Sequence, residues 1–377
     1  MALIMQKYIV KFLIIFFFFS TSVQALESVA KEAYLIDLST GQVLLDKNSQ
    51  NQTFPSSMTK MMTVLVAFEK LSKGLISLDQ QFLVSKKAWK MGGSKMFVEV
   101  DKKVTVEDLL RGIIVQSGND SSIVIAEGIS GSEEAFAGEM NLLAQKIGLK
   151  GTNFVNSSGM PAENHYTTAR DLAIIAEYTI KNYPELYKIY AEDEFTFSGI
   201  TQANRNPLLG DSEGNDGLKT GYTAKAGYGY VGSSERNGRR LILVFNGAQS
   251  SKQRKQEANR LMEWGFTNFQ YIEFFKRGDV VFESDTWLGK DKKVNLVAPN
   301  DLSLAVPKAH LADMQIIVQV NEPISVPIEA GDILGQLKIS HGKTETFFDL
   351  VSEKDIKQKN FFSRIFAALY YLVMGSN

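Results

Sequence analysis

Two side chains in Pro55-Ser56-Ser57-Met58-Thr59-Lys60-Met61-Met62-Thr63 are of types and at a spacing that could do acyl transfer. Residues three apart on a helix lie about 5–6 Å apart at Cβ, so Ser57 and Lys60 can meet. A Ser hydroxyl is a poor nucleophile until a base takes its proton, and a Lys can be that base when burial or nearby positive charge lowers its pKa. A helix start also supplies unpaired N–H groups that favour developing negative charge. Ser56 has no such partner, because position 59 is Thr. The competing reading of these four residues is a helix N-cap followed by a solvated lysine. Two further stretches could contribute: Ser117-Gly118-Asn119, by itself an ordinary turn between helices, and Lys219-Thr220-Gly221, where Gly217 and Gly221 allow close approach of a ligand or another backbone.

These groups need elements to hold them. Met61 to Lys73 has the pattern of a helix stopped by Gly74. Thr105 opens a second helix with Asp108 closing a capping box, and Ser122 to Ile129 and Glu133 to Ile147 continue the series. A polar loop, 151 to 168, leads into a helix Ala169 to Lys181, with Arg170-Asp171 fixing the loop to the helix. Ala33 to Asp37 and Gln42 to Asp46 form a hairpin, Asp216 to Thr223 is a loop entering a strand, and Tyr228 to Ser233 and Arg240 to Asn246 pair around an Asn237-Gly238 turn. A helix Lys252 to Phe266 closes this part. Beyond about residue 275, short apolar runs separated by turn residues point to a small sandwich or barrel without a catalytic cluster.

Composition narrows the chemistry. The 377 residues exceed one typical domain, and the net charge of -1 offers no global reason for a nucleic-acid partner. There are no cysteines, which removes disulfides and thiolate metal sites, and only three His, far apart in sequence, so neither a metal site nor a cofactor is expected.

Both ends carry signals of location. Lys7 and Lys11 precede the apolar run Phe12 to Phe19, and Val23-Gln24-Ala25 suits signal peptidase, so residues 1–25 read as a removed signal peptide, with an uncleaved anchor as the alternative. From Lys354, basic residues precede Phe361, Phe362, Ile365, Phe366, Leu369 and Leu372 at helical spacing, an amphipathic helix over 354–377 suited to a membrane interface or to docking on the body of the protein.

Ser57-x-x-Lys60, Ser117-Gly118-Asn119 and Lys219-Thr220-Gly221, in that order, form the motif set of class A β-lactamases and penicillin-binding proteins. The longer stretches Pro55 to Thr63, Asp216 to Tyr228, Asn156 to Met160 and His165 to Leu172 resemble the low-molecular-mass serine D-alanyl-D-alanine carboxypeptidases of peptidoglycan metabolism. The resemblance implies an α+β chain: a transpeptidase/β-lactamase-like domain of helices packed on an antiparallel sheet (26–275), an all-β domain (276–353) and the C-terminal amphipathic helix. It implies Ser57 as the acylated nucleophile, Lys60 as its base and Ser117 as a proton relay. It further implies Asn119 holding the substrate peptide, Lys219 adding positive charge beside Lys60, Thr220 and Gly221 orienting the substrate, and the amides of Ser57 and Tyr222 as oxyanion hole. Arg205 and Arg254 stand where the family has arginines near the site, and Arg grips a carboxylate with two parallel hydrogen bonds.

The implied substrate is the D-Ala-D-Ala end of peptidoglycan stem pentapeptides. β-Lactams are the implied covalent inhibitors, and the location is the periplasm, on the outer face of the cytoplasmic membrane. One departure is Tyr222, where some members carry His. A D,D-endopeptidase, a β-lactamase or a non-catalytic penicillin-binding sensor shares much of this pattern. A β-lactamase would need a Glu positioned for deacylation, and Glu163 is the nearby candidate.

Overall fold

The computed structural model describes residues 27–361, 363 and 365. The expected signal peptide and nearly all of the apolar part of the C-terminal helix lie outside the described residues.

The first half is built on a five-stranded antiparallel sheet. Strands β1 (Glu32–Asp37) and β2 (Val43–Lys47) form the opening hairpin, and the chain returns much later for β3 (Asn215–Thr223), β4 (Gly227–Arg236) and β5 (Arg239–Ala248). The order across the sheet is β2-β1-β5-β4-β3, so β3 is an edge. The stretch 216–223, expected to be a loop entering a strand, is strand throughout, because its residues pair with β4 from Asn215↔Ser234 to Thr223↔Gly227. Asn237 and Gly238 both have positive φ, 51° and 76°, as a type I′ turn requires.

Strand alternation sends side chains to two cores. Ile242 and Val244 of β5 join the helical side, whereas Leu241, Leu243 and Phe245 meet Ala258, Leu261 and Met262 of a long helix, Ser251–Asn268, on the other face. Both faces of the sheet are covered, so β5 can be almost continuously apolar.

Between β2 and β3 lie α1 (Lys60–Ser72), α2 (Val106–Ile114), α3 (Asn119–Ser130), α4 (Glu133–Lys146) and α5 (Ala169–Asn182). The Ser251–Asn268 helix is α6. Met61 to Phe68 of α1 are all 2% exposed or less, so this helix is enclosed on every side. Each large apolar side chain buried this way contributes about 1.5–3 kcal/mol. Thr105 caps α2 as expected, accepting from the Asp108 amide at 3.1 Å and donating to its carboxylate at 2.8 Å. Helix α3 begins at Asn119, three residues before the expected Ser122, since Gly118 is its N-cap.

The second half is all β. A six-stranded sheet and a two-stranded ribbon enclose a separate apolar core that includes Leu296, Leu304, Leu337, Ile339 and Leu350. Phe269–Phe275 belongs here: it pairs with Leu302–Pro307, and Ile272, Phe274 and Phe275 pack on this core. The boundary between cores therefore falls near residue 268, earlier than the 275 expected, because Phe269 ends α6 and begins a strand without an intervening linker.

The other boundary also moves. Lys354 to Lys359, expected to open the amphipathic helix, run extended along the β domain. Ile356 exchanges two backbone hydrogen bonds with Ile328, Lys290 N donates to Lys357 O at 2.8 Å, and Lys359 N donates to Leu288 O at 2.9 Å. Ile356 is 1% exposed in the apolar core, and that burial holds the segment in place of a helix. Among the described residues no helix is long and apolar enough to cross a membrane.

Candidate active site

Pro55 leads into a 3-10 turn, Ser56–Thr59, whose last residue is followed directly by α1. Ser56 has φ +52°, and the adjoining loop makes room through Gly159: a Cβ there would lie 1.8 Å from the Ser56 carbonyl oxygen. The turn leaves Ser57 half-buried at the mouth of a cleft and Lys60 fully buried one turn deeper.

Lys60 Nζ lies 3.1 Å from Ser57 Oγ, 2.7 Å from Asn119 Oδ1 and 2.5 Å from the Ser158 carbonyl oxygen. A protonated amine would donate to all three. The neutral amine has two hydrogens, which Asn119 and Ser158 occupy, and a lone pair left facing Ser57 Oγ. The neutral form is accessible: burial, then the positive charge of Arg205, lowers the Lys60 pKa to about 7, against a smaller raising effect of Asp120.

The α2–α3 connection brings Ser117 and Asn119 to this point. Ser117 sits at φ +61°, an uncommon conformation for a residue with a Cβ, and is 2% exposed. Asn119 accepts from Lys60 through Oδ1 and donates to the Gly92 carbonyl at 2.8 Å. Through the first contact it helps to position Lys60. The next residue, Asp120, is buried and accepts from the amides of Met96, Phe97 and Val98 at 2.9–3.2 Å, while Asn119 N donates to the Ser94 carbonyl. The 92–98 loop is thereby tied to the start of α3.

The edge strand β3 supplies the opposite wall. A Cβ at Gly221 would come within 3.0 Å of Ser56 Cβ and 3.3 Å of the Pro55 oxygen, so the strand and the nucleophile turn are in close contact. Lys219 is 2% exposed, and burial, followed by the charges of Lys60, Arg205 and Arg254, holds its pKa well below the ordinary lysine value. Asp216, three residues away, does not neutralise it: its carboxylate is taken by Arg240 at 2.7 Å and by the Tyr187 hydroxyl at 2.9 Å.

The cleft holds about 450 Å³ and is lined by Ser57, Ser94, Ser117, Thr220, Gly221, Tyr222, Tyr228, Arg205 and Arg254. Arg254, near the start of α6, lies 5.5 Å from the Tyr228 ring, and its buried Nε has no partner; Tyr222, 54% exposed, stacks on Tyr228 with ring centroids 4.3 Å apart. Among the described residues no carboxylate pairs with Lys60, Lys219, Arg205 or Arg254. Arg205 and Arg254 line the cleft with no carboxylate beside them, which favours an anion.

A family profile described as D-alanyl-D-alanine carboxypeptidase matches residues 19–250, and one described as penicillin-binding protein 5, C-terminal domain, matches residues 269–358. The chain belongs to the D-alanyl-D-alanine carboxypeptidase family. A relative from Haemophilus influenzae, D-alanyl-D-alanine carboxypeptidase DacA, is 36% identical over 353 residues, spanning 92% of this chain and 90% of that one. The crystal structure of penicillin binding protein 5 from the same organism superposes with a TM-score of 0.82 at 34% identity, covering 89% of this chain and 100% of that one. Penicillin-binding protein D2 from Listeria monocytogenes, solved in an ampicillin-bound form, matches with a TM-score of 0.59 at 28% identity over 64% of this chain and 99% of that one.

In this family member the residues singled out by sequence converge on one place. Ser57, Ser117, Thr220, Gly221, Tyr222, Arg205 and Arg254 line the cleft, and Lys60 touches both Ser57 and Asn119. Glu163 does not line it; it lies in a neighbouring groove, away from the position a deacylating Glu would need.

Sequence reasoning missed the supports. His165 accepts from Val155 N at Nδ1 (3.1 Å), which leaves Nε2–H to donate to Thr59 Oγ1 at 2.9 Å; burial lowers its pKa to about 4, so it stays neutral. Thr63 donates to the Ser157 carbonyl at 2.6 Å, and Ser157 is held by Glu133 at 2.7 Å. Asp171, read as fixing the polar loop, does so by accepting from Gly151 N and Thr152 Oγ1 at 2.8 and 2.6 Å. Asp120 carried a signal that was not used, an acid in the first turn of a helix directly after a motif Asn.

Proposed function

We propose that the protein is a serine D-Ala-D-Ala carboxypeptidase that removes the terminal D-Ala from peptidoglycan stem pentapeptides through an acyl-enzyme on Ser57, and that β-lactams acylate the same residue. The observation that carries this reading is the buried Lys60 amine, 3.1 Å from Ser57 Oγ with its other two contacts already filled. Ser57 Oγ attacks the carbonyl carbon of the penultimate D-Ala while its proton passes to Lys60 Nζ. The oxyanion takes hydrogen bonds from the Ser57 and Tyr222 amides, a term worth about 3–4 kcal/mol in such sites. The C–N bond then breaks, the proton returns from Lys60 through the Ser117 hydroxyl to the leaving nitrogen, and water hydrolyses the ester. Incubation with labelled penicillin followed by peptide mapping tests this: the adduct is expected on Ser57, with D-Ala released from a pentapeptide. An adduct without D-Ala release would leave a sensor in place of an enzyme.

Arg254 and Arg205 are proposed to receive the free carboxylate of the substrate, Lys219 lending further positive charge. Hydrogen bonds to charged groups contribute about 1.5–3 kcal/mol. Arg254→Ala is therefore expected to lower kcat/KM on a D-Ala-D-Ala peptide about ten- to a hundredfold, with little change on the same peptide ending in an amide. Equal losses on both would place the carboxylate elsewhere.

Location is proposed from the two ends. Residues 1–25 direct export, and the apolar pattern beginning at Phe361 attaches the protein to the membrane surface. A chain ending at residue 360 keeps every strand described above and is expected in the soluble fraction; if it stays with membranes, the C-terminal pattern is not the anchor.

A further inference from the structure

Arg205 lines the cleft without a side-chain tether: among the described residues its guanidinium makes no hydrogen bond and no ion pair. Its place is therefore set by its backbone. The Arg205 amide donates to the Val115 carbonyl at 3.2 Å, two residues before Ser117. The asparagines on either side of it bond in different directions. Asn204 Nδ2 donates to the Glu192 carbonyl at 2.8 Å, on the helical side, and Asn204 Oδ1 accepts from the Asn206 amide at 2.9 Å. Asn206 is buried and bonds to the sheet. None of the chemistry above uses it.

Asn206 meets Asn215, the first residue of β3, and Tyr230 of β4 in a closed triangle of hydrogen bonds. Asn206 Nδ2 donates to Asn215 Oδ1 at 2.7 Å, Asn215 Nδ2 donates to the Tyr230 hydroxyl at 3.2 Å, and that hydroxyl donates to Asn206 Oδ1 at 3.1 Å. Two backbone groups fix the direction of the triangle. The Leu208 amide can only donate, and it donates to Asn206 Oδ1 at 3.1 Å; the Ser233 carbonyl can only accept, and it accepts from Asn215 Nδ2 at 2.9 Å. Each side-chain amide thus has one orientation, which leaves Asn206 Oδ1 as the acceptor for the Tyr230 proton. Tyr230 is fully buried, and a Cβ on Gly232 would come within 2.3 Å of its hydroxyl oxygen. The glycine makes room for the tyrosine. A buried network whose members are all satisfied holds one geometry. This one joins the turn that carries Arg205 to the strand that carries Lys219.

We propose that Tyr230, Asn206 and Asn215 are positioning residues that act through Arg205, holding its charge beside Lys60 and the carboxylate of the substrate. This rests on the acyl-transfer reading of the cleft. Lys60 is faced by Arg205, by Asp120 of α3 and by Lys219 of β3, with His165 neutral behind Thr59, so a change confined to Arg205 is read in the Lys60 midpoint. Tyr230→Phe is the test. It keeps the ring against Phe245, with centroids 5.9 Å apart, and it leaves Asn206 Oδ1 with the Leu208 amide and Asn215 Nδ2 with the Ser233 carbonyl, so the variant folds. One neutral hydrogen bond sets the scale: kcat/KM on a peptide ending in free D-Ala-D-Ala is expected to fall about two- to tenfold, with a smaller loss on the amidated peptide. Arg205 lowers the Lys60 pKa, so loosening it moves the midpoint of the rise of kcat/KM with pH upward. Added to Arg205→Ala, the same substitution is expected to change neither the acid-to-amide ratio nor the midpoint any further. Equal losses on both peptides with an unmoved midpoint, no loss at all, or an effect that persists in full without Arg205 overturns the proposal and leaves the acyl-transfer reading intact. A wild type that takes no penicillin label and releases no D-Ala overturns both.

Discussion

Replacing Ser57 by Ala is expected to remove the penicillin adduct and to lower D-Ala release about a millionfold, the scale seen when a serine nucleophile is deleted from a working catalytic set. The effect is chemical, because little else depends on that hydroxyl. Its hydrogen bond is to Lys60, and the side chain is half-buried at the cleft mouth, so the variant keeps the turn, the helix start and the Lys60 contacts with Asn119 and Ser158. Ser56→Ala is the matched control. Its hydroxyl contacts Thr223 at 3.4 Å and faces no base, so this variant keeps its label. Mass spectrometry of both after penicillin treatment decides the matter: an adduct surviving in the Ser57 variant would sink the assignment.

Lys60→Ala has the second largest expected effect. Deleting a positioned general base costs about 10²–10⁴ in rate, to be read as the rate of acylation. It also leaves Asn119 Oδ1 and the Ser158 carbonyl without their donor in a buried site, which costs about 1–3 kcal/mol for each group and lowers Tm. The two losses separate through pH. The base is the neutral amine, so with a pKa of about 7 the wild-type kcat/KM rises with pH through a midpoint near 7 and is about tenfold lower at pH 6 than on the alkaline plateau. The variant loses that rise. Removing Arg205, whose charge helps to lower the Lys60 pKa, moves the wild-type midpoint upward. A Lys60 variant that retains the same profile would show that another group titrates.

The reacting residues were legible in sequence because their chemistry is written in short spacings. Ser57 and Lys60 lie on one turn, Ser117-Gly118-Asn119 is a tripeptide, and Lys219 to Tyr222 is one end of a strand. What holds them was not legible, since each support joins residues distant along the chain. Lys60 meets the Ser158 carbonyl across 98 residues, and Thr59 meets His165 across 106. The Asp120 carboxylate reaches amides more than 20 residues upstream, and a backbone acceptor such as the Ser158 carbonyl carries no side-chain signal at all. The same limit applies to Asn119, whose contacts with Lys60 and Gly92 join residues 59 and 27 positions away. It explains the C-terminal boundary too, because Lys354 to Lys359 are basic and precede an apolar pattern, and only the pairing with Leu288, Lys290 and Ile328 shows them to be part of the β domain.

That pairing makes the segment a load path. A pull on the chain beyond Asn360 is met first at Lys359, then at Lys357 and Ile356, and is divided between two separate attachments, Leu288–Lys290 on one side and Ile328 on the other. Both attachments lie within the β domain, which has its own apolar core, separate from the sheet whose edge carries Lys219. Removing Lys354 to Asn360 would therefore uncover Ile356's place in the apolar core of the β domain and leave the Leu288–Lys290 and Ile328 backbone groups without these partners.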